Sequence, residues 1–219
     1  MQMANTELQF LRRPFLKYLF WISLTGFIAL TFFVVVLPPT ILDKWFSLEI
    51  QEHGNAFFDA FMTAVSSFGN FKYSIPIVAV VSLLFLLFKF KREALFVFFT
   101  MISGLLSSVV KYLINRPRPA KNLVRIIEIT RQQSFPSGHV LFYTVFFGFL
   151  VFLMFKLKTI PLIIRLIVAT FCVTIIILVS ISRVYLGAHW LTDVVAGYLL
   201  GYCCLYLLIN FYLNHYQLF

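Results

Sequence analysis

The sequence predicts an all-α integral membrane protein, with six transmembrane helices plus an amphipathic interfacial helix. Three observations carry that prediction. Of 219 residues, 61% are hydrophobic and only 12% charged, about half the charged share of an ordinary soluble domain. The apolar residues fall in long runs, several close to the ~20 residues a helix needs to cross the hydrocarbon core. The charged residues collect between those runs instead of alternating with apolar ones. Such a chain suits lipid as its solvent.

The first expected span is Tyr18–Leu37, twenty residues without a charge. Arg12, Arg13 and Lys17 precede it, as they would a signal peptide. The run is too long for that, however, and ends in Val-Leu-Pro-Pro instead of a small-residue cleavage site. Residues 41–70 form the longest polar-leaning stretch. There Phe57, Phe58, Phe61, Val65 and Phe68 recur at helical spacing, with Glu52, Asn55 and Asp59 between them. That pattern predicts a helix lying in the outer interface, which either covers an opening or connects the first two spans; the connector is favoured. Further spans are expected at about Ser74–Phe88, Ala94–Val110, Val140–Phe155, Ile160–Ile181 and Val194–Leu213. No internal repeat divides the chain, and residues 1–219 read as a single domain. Cys172, Cys203 and Cys204 fall inside spans without metal-ligand spacing, so they read as buried structural thiols.

The formal charge of +10 has its explanation at lipid headgroups, and nucleic acid is not expected as a partner. Six spans put both termini on one side. With the N-terminus inside, Arg12, Arg13, Lys17, Lys89, Lys91, Arg92, Lys156, Lys158 and Arg165 are cytoplasmic, and the other nine of the 18 basic residues are outside. The count is a tie, but the inner charges sit tightly at helix ends, where they bias topology most. Cytoplasmic termini are therefore the expectation. Lys111, Arg116, Arg118, Lys121, Arg125, Arg131 and Arg183 then cluster outside in two places. A cluster kept against the topological bias points to a further task.

Three segments carry chemistry. Lys111 ends an apolar run and opens "KYLINRPRP". Alone it reads as a lysine snorkelling at a helix end. Pro117 and Pro119, alternating with Arg116 and Arg118, take the backbone out of the helix in a stiff extended form. Guanidinium groups held that way match phosphate oxygens. In "SFPSGHV", Pro136 and Ser137 suit the start of a helix near Gly138 or His139. A helix N-terminus is also an anion site, Gly138 allows close approach, and Ser137 and His139 supply donors. On these four residues alone the two readings stand level. In "SRVYLGAHWLTD", His189 and Asp193 are four apart, so on a helix the carboxylate can hold the imidazole. Arg183, at the end of the preceding span, adds another cation. The six-span topology brings all three segments to one side, an inventory suited to binding a tetrahedral oxyanion and to nucleophilic and acid–base work on it. Paired carboxylates for a divalent metal are missing, so no metal and no cofactor are expected.

The order Lys111-x6-Arg118-Pro119, Pro136-Ser137-Gly138-His139, Ser182-Arg183-x5-His189-x3-Asp193 resembles the three-part signature of the type 2 phosphatidic acid phosphatase superfamily. That family also includes glucose-6-phosphatase and vanadium haloperoxidases. The resemblance implies an acid phosphatase/vanadium haloperoxidase-like core in its membrane-embedded branch. It implies His189 as the nucleophile that becomes a phosphohistidine, Asp193 as its orienting partner and His139 as the acid on the leaving group. Lys111, Arg118, Ser137, Gly138 and Arg183 are implied as the phosphate cradle. Arg116, Lys121, Arg125 and Arg131 lie outside the signature and read as solvated loop charges ahead of headgroup attractors.

These readings together predict a metal-independent lipid phosphatase of the plasma (inner) membrane, with its site facing the periplasm or exterior. Lipid phosphates and membrane lipids are its expected partners. Undecaprenyl diphosphate and phosphatidylglycerophosphate lead the candidate substrates, ahead of phosphatidic acid and lipid A phosphate. The rivals are a membrane protein that binds or transports an anionic lipid without hydrolysis and, more remotely, a haloperoxidase. The sequence sets no oligomeric state.

Overall fold

The computed structural model describes residues 14–37, 40–130 and 132–214. Arg12, Arg13 and Arg131, which entered the charge count, lie outside them. Nine helices order the described residues: α1 (Pro14–Val36), α2 (Ile41–Gln51), α3 (Ala56–Ser67), α4 (Phe71–Leu87), α5 (Lys91–Phe99), α6 (Ile102–Ile114), α7 (Gly138–Lys156), α8 (Leu162–Tyr185) and α9 (Leu191–Asn214). Five segments are long and apolar enough to cross a bilayer, counting α5 and α6 together; the α3–α4 pair, bent by 54°, supplies a sixth. The fold is all-helical and membrane-spanning, as expected, with three local differences.

First, the polar-leaning stretch is two helices. Thr40 starts α2 with a capping box to Asp43, and Asn55 starts α3 by accepting from the Phe58 N–H at 3.0 Å. Phe57, Phe58 and Phe61 face outward while Met62, Val65 and Ser66 are buried, so the expected apolar stripe is divided, with its first three phenylalanines on the outer side and Val65 in the core. Second, the third span is interrupted at Thr100–Met101. There the Thr100 and Ser103 hydroxyls donate to the Val97 and Thr100 carbonyls, both at 2.6 Å, and occupy acceptors around the break. Third, Ser137 is the N-cap of α7, but its side chain makes no capping bond.

Helix α7 is apolar around its whole circumference, which requires burial on every side, and it packs against α8, α9 and α6. Gly197 and Gly201 let α9 come close to it. A methyl on Gly197 would lie 2.9 Å from the Ser137 carbonyl, and one on Gly201 would lie 2.8 Å from Thr144 Cβ, the small-residue contact that membrane helices favour. The contact sets the start of α7 against the start of α9, where the Ser137 N–H donates to the Asp193 carbonyl at 2.9 Å. Helix α6 ends at Asn115 in the left-handed conformation. The Pro-rich segment then leaves the helix and returns across the bundle end, with Ile127 N–H on the Leu186 carbonyl at 3.0 Å.

Candidate active site

At that end lies a cavity of about 220 Å³. Lys111 reaches it from α6, Arg118 from the following loop, Gly138 and His139 from the start of α7, Arg183 from the end of α8, and His189 from the turn before α9. Phe71, Met101, Gly104 and Phe142 extend it as an apolar slot between α4, α6 and α7. Six of the eight site residues expected from sequence thus share one wall. Ser137 and Asp193 are fully buried behind it.

Lys111 and Arg118 are held by backbone oxygens, Arg183 by side chains. Lys111 Nζ donates to the Gln133 carbonyl at 2.7 Å. Arg118 donates to Gln132 and Ala188 carbonyls, both at 2.5 Å, and to Gln133 at 3.2 Å. Arg183, with no exposed surface, donates to Glu128 at 2.6 Å and to the Ser66 hydroxyl. Burial and the neighbouring Arg183 charge bring the Arg118 guanidinium down to about 10, which leaves it cationic at neutral pH. Around the cavity, buried polar atoms lack a protein partner: Arg183 Nε and Nη2, Ser107 Oγ, Thr130 Oγ1 and His139 Nε2. Buried donors are ordinarily satisfied, and a tetrahedral oxyanion in the cavity would satisfy several at once. Gly138 has the close approach the sequence suggests, since a methyl there would lie 2.9 Å from Ser107 Oγ.

His189 presents different surroundings to its two nitrogens. Nε2 lies 3.3 Å from Arg118 Nη1 on the cavity side. Nδ1 lies 3.6 Å from Asp193 Oδ2, too far for a good direct hydrogen bond. Ser134 fills that gap: its hydroxyl donates to the same carboxylate oxygen and sits 3.5 Å from Nδ1. Asp193 Oδ2 also accepts the Trp190 N–H at 2.9 Å, and Oδ1 accepts from Arg116 at 2.5 Å. His189 is held well below the ordinary histidine value. Burial is the main cause, followed by the Arg118, Lys111 and Arg183 charges, so its ring is neutral near pH 7.

Arg116 corrects a sequence expectation. It is 4% exposed and links Asp193 to a fully buried Asp43 on α2, whereas its place outside the family signature read it as a solvated loop charge. Arg125 is also engaged, pairing with Asp59, which accepts from Tyr185 Oη at 2.7 Å; Lys121 is exposed. Sequence reasoning missed Asp43, Ser66, Ser107, Glu128 and Ser134 as neighbours of the site. Ser134 begins the conspicuous SFPSGHV phrase and Ser107 stands one turn before Lys111, so both had a positional signal; nothing marked Asp43.

A family model described as the PAP2 superfamily matches residues 92–217, more than half the chain and all three motif segments. The chain belongs to this superfamily and is a membrane lipid phosphatase. It is 31% identical over 194 residues to an undecaprenyl-diphosphatase of Sulfolobus acidocaldarius, covering 84% of this chain and 87% of the relative. It is 28% identical over 153 residues to phosphatidylglycerophosphatase B of Bacillus subtilis, covering 68% and 73%. Among solved structures it matches the transmembrane PAP2 type phosphatidylglycerolphosphate phosphatase from Bacillus subtilis, with a TM-score of 0.76 at 22% identity over 89% of this chain and 98% of that one. It also matches Aquifex aeolicus LpxE, with a TM-score of 0.57 at 24% identity over 75% and 92%. At these identities the structural likeness concerns the fold.

Proposed function

We propose that the chain hydrolyses a lipid phosphate or diphosphate through a phosphohistidine on His189, without a metal. The observation that carries this is the asymmetry of the His189 ring: Nδ1 faces the Ser134–Asp193 pair and Nε2 faces the cationic cavity. Nε2 attacks phosphorus, and the bond from phosphorus to the leaving oxygen breaks. His139 gives that oxygen its proton, and Lys111, Arg118, Arg183 and the α7 N-terminus carry the charge on the three equatorial oxygens. Asp193 stabilises the ring as it becomes cationic. Water then attacks the phosphohistidine, His139 takes its proton, and orthophosphate leaves with His189 neutral again.

The apolar slot between α4, α6 and α7 is suited to the first carbons of a lipid tail. The names of the relatives favour undecaprenyl diphosphate or phosphatidylglycerophosphate as the substrate, with phosphatidic acid and lipid A phosphate behind them. The residues 1–219 act as one domain in this reading, with the termini cytoplasmic and the cavity at the outer leaflet. A cysteine placed at Lys121 should then react with an impermeant reagent added outside intact cells; labelling only after lysis would reverse the orientation.

Phosphate release from a panel of these lipids, measured in detergent with EDTA, tests the chemistry. Release that survives chelation and vanishes in His189→Ala supports the proposal. Release that persists in that variant removes His189 as nucleophile, and a panel that yields no phosphate favours an anionic-lipid binding protein instead.

A further inference from the structure

We infer that Asp43 and Arg116 are positioning residues, through which the interfacial helix α2 sets the geometry and charge of the His189–Asp193 pair. The inference rests on His189 being the nucleophile. Asp43 and Asp193 have no exposed surface and Arg116 is 4% exposed. The Arg116 fork spans them: Nη1 donates to Asp193 Oδ1 at 2.5 Å and to Thr192 Oγ1 at 2.7 Å, and Nη2 donates to Asp43 Oδ2 at 3.1 Å. Asp43 Oδ1 accepts the Thr192 N–H at 2.9 Å, while Oδ2 accepts the Thr40 N–H at 3.3 Å. A carboxylate that caps α2 is therefore locked to Thr192 in the first turn of α9, three residues from His189.

Buried charge clusters are seldom kept for stability, because apolar side chains of similar volume often serve as well. Here the cluster does two things for His189. Through Arg116 it fixes Oδ1 of Asp193, while Ser134 and the Trp190 N–H hold Oδ2 from the other side. It also sets the sign of the local field. Arg116 alone would cancel the Asp193 charge that a cationic His189 ring needs during attack. Asp43 offsets Arg116 and leaves a net negative charge behind the ring. In front of the ring stand Lys111 from α6, Arg118 from the loop, His139 from α7 and Arg183 from α8, the last paired with Glu128. That surplus of positive charge makes the negative group behind His189 decisive.

The test compares Asp43→Asn, Asp43→Glu and Arg116→Lys with wild type and His189→Ala, using full-length protein in detergent and a short-chain lipid phosphate. Unlike Asp43→Glu, Asp43→Asn removes the charge and also turns one of the two accepting oxygens into a donating amide. Its kcat should fall by roughly 10²-fold, the scale of a misplaced reacting group, while KM changes by less than about threefold. The acid limb of kcat/KM should move to lower pH, because the extra positive charge disfavours protonation of His189. The ionisation of the substrate phosphate, near pH 6, is common to both enzymes and drops out of the difference. Asp43→Glu should return the limb towards wild type and recover part of kcat. Arg116→Lys keeps the charge but loses the fork, so kcat should fall with the limb unmoved. A folded Asp43→Asn with wild-type kcat and limb, or a loss confined to KM, overturns the inference. Should Asp43→Asn not fold, wild-type kcat in Arg116→Lys overturns it. Turnover by His189→Ala would remove the nucleophile and the positioning role together, whereas a dead His189→Ala beside an unaffected Asp43→Asn removes the positioning role alone.

Discussion

Gly69, in the turn between α3 and α4, lies against the ring of His139. A methyl at Gly69 would come 2.3 Å from His139 Cδ2, 2.7 Å from Cγ and 2.9 Å from Tyr143 Cε2. Carbon atoms pack comfortably at about 3.5–4.0 Å, so Gly69→Ala requires a retreat of about 1 Å by one partner. Tyr143 is pinned, with no exposed surface and its hydroxyl on the Val65 carbonyl at 2.6 Å. His139, in the first turn of α7 with Nε2 unpartnered, is the group that gives way. A displacement of this size costs roughly 10²-fold in rate, comparable with the lower range of what a general acid supplies. The assay is kcat for an alkyl lipid phosphate beside kcat for an aryl phosphate whose leaving group departs without a proton. Gly69→Ala should lose about two orders of magnitude on the alkyl ester and much less on the aryl one. An equal loss on both, or wild-type turnover of the alkyl ester, would refute the placement of His139 beside the leaving oxygen.

Two further outcomes follow from the same cavity. Ser107 Oγ is 3% exposed without a protein partner, at the wall beside Lys111 and Gly138. A hydrogen bond from it to a charged phosphate implies a loss of about 1.5–3 kcal/mol in kcat/KM for Ser107→Ala, roughly 10- to 100-fold, and an unchanged value would show that the hydroxyl does not touch substrate. The depressed His189 value also enters stability. Below about pH 6.5 the unfolded chain takes up a proton that the native ring refuses, so this contribution, complete above that pH, is lost as pH falls towards the native value. Unfolding free energy in detergent should therefore fall on acidification more steeply in wild type than in His189→Gln, by up to about 1.4 kcal/mol per pH unit; parallel curves would contradict a neutral buried imidazole.

The spans were legible because the hydrocarbon core imposes one length and one polarity on each. The grouping of the candidate site around one cavity was legible where side chains must stand at fixed spacing near a helix end: Lys111 to Arg118, Pro136 to His139, His189 to Asp193. Contacts set by tertiary packing were not. Arg116 reads like any arginine in a Pro-rich loop until α2 brings Asp43 against it. The Ser137 cap reading failed in detail: its hydroxyl is buried without a hydrogen-bond partner, and the N-cap position lacks its usual bond. The 3.6 Å gap between His189 and Asp193 arises because α9 begins at Leu191, so the pair does not lie on one regular helix and Ser134 closes the space. The connector reading of residues 41–70 understated that stretch, since Asp43, Ser66 and Gly69 each touch a group at the site.

The most direct test of the phosphohistidine at the centre of this mechanism is rapid acid-free quenching of the protein with lipid phosphate labelled at phosphorus, followed by mapping of the label. Wild type should carry an acid-labile, alkali-stable phosphoryl group on His189, and His189→Ala should carry none. Label on another residue, or undiminished labelling of His189→Ala, would contradict it.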